Sequence, residues 1–243
     1  MGEFVYKERT ARRLPHFHPP DSILFVTFRL AGTVPQSMLR LYNEHKDWFA
    51  SETRRIERLK LKADSPEIQA LSTKIREFHR QWFRKFEDIL HKAENGPTWL
   101  GDDRVAKIVA DALHYRDGNI LRLDCYCIMP NHVHVVFAPY LSERELREIR
   151  SSEGLAFMSK NPPLAAIMKS LKGYTAWEAN RVLGRKGTFW ERESYDHVVR
   201  DDAEYGRILK YVLNNPVKAG LVKDWRQWKW SYRRQVHECN EET

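Results

Sequence analysis

The chain has 243 residues, enough for one large domain or one domain with an insertion, and either can bury a substantial core. With 42% hydrophobic and 30% charged residues it is globular rather than disordered, and no stretch approaches the roughly 20 apolar residues that a membrane span needs. A formal net charge of +8 and a pI near 9.4 favour a polyanionic partner, since counterion release rewards Lys and Arg, although charge alone does not single out nucleic acid.

The opening MGEFVYKERTARR has no apolar leader core, and Tyr6 stands where a myristoylation signal needs Ser or Thr. Residues 23–30 (ILFVTFRL) predict a strand stopped by Gly32 and Pro35. Two charged helices are expected over residues 37–62 and 66–93. The second carries an apolar stripe of Ile75, Phe78, Trp82, Phe86 and Ile89 beside a basic face. Asn95-Gly96-Pro97 breaks it, and a third helix follows over 102–116. Strands are expected over 119–128 and 131–138 with Pro130-Asn131 as the turn, then a short charged helix over 141–150.

Beyond Asn161-Pro162-Pro163 a longer helix covers 164–183, and SYDHVV makes a short strand over 194–199. Asp201-Asp202 caps a helix that runs to Leu213, where Asn214-Asn215-Pro216 closes it. The tail, residues 222–243, is aromatic, with Trp225, Trp228, Trp230 and Tyr232 expected mainly as lids on the core. Cys125 and Cys127 alternate on a predicted strand and form no disulfide framework with Cys239, so buried free thiols in a reducing cytoplasm are expected. Set aside residues 37–95 as a helical insertion, and the order is β-α-β-β-α-β. That is the α+β, ferredoxin-like split βαβ arrangement around an antiparallel sheet, within a single domain over 1–243.

The chemistry concentrates in Met129-Pro130-Asn131-His132-Val133-His134-Val135-Val136-Phe137. Alternate residues of a strand share a face about 6–7 Å apart, so His132 and His134 can lean toward one divalent ion. Two imidazoles alone make a poor metal site, and partly buried polar residues are the plainer reading of the pair. Tyr211 and Asn215, four apart on the last helix, offer a phenol nucleophile and a neutral oxygen ligand suited to Mg²⁺ or Mn²⁺. Spacing alone favours a Tyr211 that merely packs on the sheet. Tyr195 reads as a packing aromatic and His197 as a structural group. Lys169, Lys172, Tyr174 and Arg192 are candidates for backbone and stacking contacts to a nucleic acid, with a solvated basic face as the alternative. Arg226, Arg233 and Arg234 also suit phosphate contact.

The segments PNHVHVVF and YVLNNPVKAGLV, at this separation, resemble those of REP-associated tyrosine transposases within the HUH nucleases (His, hydrophobe, His). RRLPHFHPPDSILFVTFRL, IMKSLKGYTAWEANR and GTFWERESYDHVVRDDAEYGRILKYV agree in register. The resemblance leaves out the insertion and the last ten residues, and Ser231 stands alone where relatives often carry a doubled serine. It implies His132 and His134 as paired metal ligands, Asn215 as the third, and Tyr211 as the catalytic tyrosine that forms a 5′-phosphotyrosine link. Both imidazoles must be neutral to bind metal, so activity is expected to fall in acid.

The resemblance further implies that Arg12, Arg13 and His16 grip the base of a DNA hairpin. The substrate is expected to be single-stranded or hairpin DNA of repetitive extragenic palindromes. A cytoplasmic bacterial enzyme, monomer or homodimer and bound to the nucleoid through DNA, is the corresponding expectation. One rival is a binding protein for structured single-stranded nucleic acid that has lost cleavage. Another is a zinc hydrolase built on the histidine pair, disfavoured because no third nitrogen, sulfur or carboxylate ligand is evident nearby.

Overall fold

The computed structural model describes residues 22–59, 65–140 and 163–235. The elements run β1 (Leu24–Arg29), α1 (Gln36–Arg58), α2 (Pro66–Lys92), α3 (Asp103–Arg116), β2 (Leu121–Ile128) and β3 (His132–Pro139). They continue as α4 (Pro163–Val182), β4 (Tyr195–Val198), α5 (Asp202–Leu213), the single turn α6 (Asn215–Lys218) and β5 (Ser231–Arg233). The helix expected over 141–150, together with Arg12, Arg13, His16 and Cys239, lies outside the described residues.

One sheet has the strand order β4-β1-β3-β2-β5, every neighbouring pair antiparallel. Its first four strands reproduce the expected split βαβ order, with α3 and α4 as the crossovers. The expected fold class, α+β with a helical insertion, therefore holds. Antiparallel sheets commonly leave one face to water, but here both faces are covered. Leu24, Val26 and Phe28 of β1 join Val133, Val135 and Phe137 of β3 in the core beneath α3 and α4. Phe25, Val136, Cys125 and Cys127 face the other way, against Leu209 and Val212 of α5 and Phe83 of α2. A bulge between Leu123 and Cys125 makes this possible. It inserts Asp124, ion-paired to Arg122 at 2.9 Å, and so switches which residues of β2 point to which face.

The α1–α2 hairpin leaves and rejoins the domain at one place. Gly96 has φ of +72°, and a Cβ there would stand 2.4 Å from the carbonyl oxygen of Gly32. Only glycine permits that approach of entry and exit.

The tail does more than cover the core. Trp228 Nε1 donates to the carbonyl of Ile128 at 2.9 Å, and Trp230 Nε1 donates to Asp103 Oδ1 at 2.8 Å. The segment between them and Arg234 adds β5 to the edge of β2, a strand that SYRRQ does not announce because it lacks apolar alternation. Arg234 donates to both oxygens of Asp117, at 2.5 and 2.6 Å, so its guanidinium ties the tail down. Cys125 and Cys127 are buried free thiols, as expected. No helix among the described residues is long and apolar enough to cross a membrane.

Phe137 is fully buried, so Phe137→Ala should cost about 3–5 kcal/mol in urea unfolding. Tyr115 is 78% exposed, and Tyr115→Ala should stay within about 0.5 kcal/mol of the wild type.

Candidate active site

His132 and His134 open β3 on the face away from α3 and α4, both fully buried. Their Nε2 atoms face each other at 3.0 Å. The far side of each ring is pinned. Asn131 Nδ2 donates to the carbonyl of Leu90 at 2.9 Å, which orients its Oδ1 to accept from His132 Nδ1 at 2.6 Å. That bond requires a proton on Nδ1 and leaves the His132 Nε2 lone pair facing the gap. Burial drives the His132 pKa well below its ordinary value, so the ring stays neutral as a ligand must. His134 Nδ1 sits 2.7 Å from the Thr27 hydroxyl, which can donate or accept and so serves either tautomer.

The third corner comes from the insertion. Glu87 of α2 is buried, with Oε2 3.4 Å from His134 Nε2 and within hydrogen-bonding contact of the Tyr211 hydroxyl. Ligand atoms of Glu87, His132 and His134 all lie within 4.8 Å of one another. Burial on its own would raise the Glu87 carboxyl, but His134, His132 and the Tyr211 hydroxyl outweigh it and hold the group below the usual carboxylate range. The donor set fits a divalent cation. Two imidazole nitrogens and a carboxylate oxygen converge on one point.

Tyr211 reaches this cluster within its own chain. Its ring centroid is 5.5 Å from that of His134, and Phe25 meets it edge-on at 5.9 Å. Burial first, then the neighbouring Glu87 carboxylate, raises the phenol pKa, so the proton stays on Tyr211 and points at Glu87. The exposed Lys218 places its ammonium 5.0 Å from the centre of the Tyr211 ring.

Asn215 shares the face of Tyr211, as the four-residue spacing predicts, since its Nδ2 donates to the Tyr211 carbonyl at 3.0 Å. Its Oδ1 accepts from His91 Nε2 at 2.5 Å. Asn215 therefore meets the cluster through His91, which stands 3.8 Å from Glu87 Oε2.

The remaining candidates scatter. Lys169, Tyr174 and Arg192 are exposed, Tyr174 by 50%. Lys172 presents no free ammonium: Nζ donates to the carbonyls of Glu191, Arg192 and Glu193 at 3.0–3.4 Å and orders that loop. His197 pairs with Glu204 of α5 at 3.1 Å, and Tyr195 packs on Phe83 with ring centroids 4.3 Å apart, matching their structural readings. Sequence reasoning missed Glu87 and His91. The expectation that no carboxylate lies near the histidine pair fails because a helix from the insertion supplies one. A signal existed: Phe83, Glu87 and His91 recur every four residues, a second stripe beside the apolar one.

No family model matches the chain. It is 27% identical over 105 residues to a Haemophilus influenzae protein that carries the provisional name REP-associated tyrosine transposase, covering 43% of this chain and 54% of that one. This match agrees with the resemblance that the sequence motifs carry. An uncharacterised protein of the same organism is 27% identical over 106 residues, 40% of this chain and 55% of that one. The chain thus spans about half the length of the curated relatives it matches. A solved structure of a REP-associated tyrosine transposase bound to a REP hairpin aligns with 92% of this chain and 82% of its own, at 12% identity and a TM-score of 0.43.

Asn131→Ala should free the His132 ring from the end of α2 and weaken divalent-cation affinity about 10–100-fold. Titration with Mn²⁺ by calorimetry checks this, and unaltered affinity would show that the ring orients without it.

Proposed function

We propose that this chain is a metal-dependent, single-strand-specific DNA endonuclease and strand transferase that acts on hairpin-forming palindromic repeats. One observation carries the reading: the Tyr211 hydroxyl rests on a carboxylate that also faces two converging imidazoles. In this reading His132, His134 and Glu87 hold a Mg²⁺ or Mn²⁺ ion, and Asn215 supports them through His91. When bound, the ion draws charge from the scissile phosphate and makes the phosphorus more electrophilic.

The protein's own groups do the rest. Glu87 keeps the phenol aimed and takes its proton as Tyr211 Oη attacks phosphorus. The bond to the 3′ oxygen breaks, the departing strand leaves with a 3′-hydroxyl, and the 5′ strand stays on Tyr211 as a phosphodiester. That ester retains the energy of the broken bond, so a second 3′-hydroxyl can reverse the attack without ATP. Phe25 and Phe83, with Tyr195 packed behind Phe83, wall the phenol on its apolar side and limit competing water. Lys218, beside the ring, suits a contact to the phosphate. The related protein's name and the +8 net charge support the choice of substrate.

The carboxylate also supports a second reading, a zinc hydrolase with a His, His and Glu donor set. Metal content separates them: tightly bound stoichiometric zinc in the purified protein favours the hydrolase, and exchangeable Mg²⁺ or Mn²⁺ the transferase.

Incubated with Mn²⁺ and a panel of oligonucleotide hairpins, the wild type should form a denaturation-resistant protein–DNA species. Tyr211→Phe should abolish it, as should a chelator in excess. Absence of the species across the panel would leave a binding protein without cleavage. Glu87→Gln should lower both Mn²⁺ affinity and adduct yield at least about tenfold, whereas Asn215→Ala should reduce affinity less. The reverse order would make Asn215 the third ligand.

A further inference from the structure

Beside the phenol lies a cavity of about 240 Å³, bounded by β1, the α1–α2 hairpin and the loop before β4. Nothing in the proposed chemistry uses it. Aromatic side chains make its walls: Tyr42 of α1, Trp82 and Phe86 of α2, and Tyr195. Arg29 borders it from β1 and is itself only 9% exposed. Its guanidinium stands 5.5 Å from the centre of the Phe86 ring, and Nε has no hydrogen-bond partner. The carboxylate of Glu191 is 3.7 Å away, an ion pair too long for a hydrogen bond.

A buried donor left unmet is costly, and it marks a place where a ligand can supply acceptors. The opposite lip is preformed, because Glu191 N donates to the Arg29 carbonyl at 2.8 Å and Lys172 clasps the three carbonyls that follow.

The lining selects a ligand class. Flat aromatic walls suit a planar ring that stacks. Two acidic residues, Glu191 and Glu193, line the cavity with Arg29 and disfavour a phosphate there. Guanine answers both signs. Its O6 and N7 accept from a guanidinium, and its N1–H and N2–H donate to a carboxylate. The partition between cavity and phenol is one ring thick: Phe83 and Tyr195 lie 4.3 Å apart, and Phe83 is 6.1 Å from Tyr211.

We propose that this cavity holds an unpaired guanine of single-stranded DNA adjacent to the phosphate that Tyr211 attacks, making the α1–α2 insertion a base-reading element. The position next to that phosphate rests on the function proposed above; the guanine pocket does not.

Fluorescence anisotropy with a labelled thymidine oligomer, with and without one central guanine, tests it on the full chain. The guanine oligomer should bind about tenfold more tightly, and Arg29→Met and Tyr42→Leu should each erase most of that difference. Tyr42→Leu decides if Arg29→Met fails to fold by circular dichroism. Equal binding of the two oligomers, no binding of either, or a preference that survives both substitutions overturns the proposal. The wild-type covalent adduct reads the other proposal separately. A guanine preference without any adduct keeps the pocket and removes the chemistry, and an adduct without a preference does the opposite.

Discussion

A carboxylate keeps its charge in a protein interior only where donors or cations meet it, and Glu87 is such a group. It is 5% exposed, and the phenol of Tyr211 and the imidazoles of His132 and His134 surround it. Three elements far apart in sequence converge on it: α2, β3 and α5. None of them satisfies its own polar groups alone. The hairpin needs the site as much as the site needs the hairpin, since Leu90 at the end of α2 uses its carbonyl to hold Asn131 and through it His132.

The covered sheet follows from the same arrangement. With α3 and α4 on one face, the opposite face would be open along Phe25, Val136 and the two thiols. α5 covers one part and α2 the other, so the histidines lie in a low-dielectric layer where electrostatic contacts strengthen and stray water is excluded. The bulge at Asp124 keeps this layer in register on β2, and the tail strand β5 protects that strand's edge.

Charge is distributed in a way that separates roles. Lys172 and Arg234 are used inside the protein, one on the loop before β4 and one on Asp117. Lys169, Arg192 and Lys218 remain at the surface. A net positive charge therefore says less about binding than the identity of the lysines and arginines left free.

Much was legible in the sequence because it rests on local rules. Strand alternation placed His132 and His134 on one face, the four-residue spacing put Tyr211 beside Asn215, and Asp201 capped α5 by accepting from Glu204 N at 2.7 Å. The helical periods of α1 and α2 were equally plain. Their destination was not. Amphipathic patterning says that a helix buries one stripe, but not against what. Only the tertiary structure decided that Glu87 and His91 enter the cluster, that Asn215 meets it through His91, and that Arg29 borders a cavity. Each depends on contacts between residues more than forty positions apart, which no local propensity encodes.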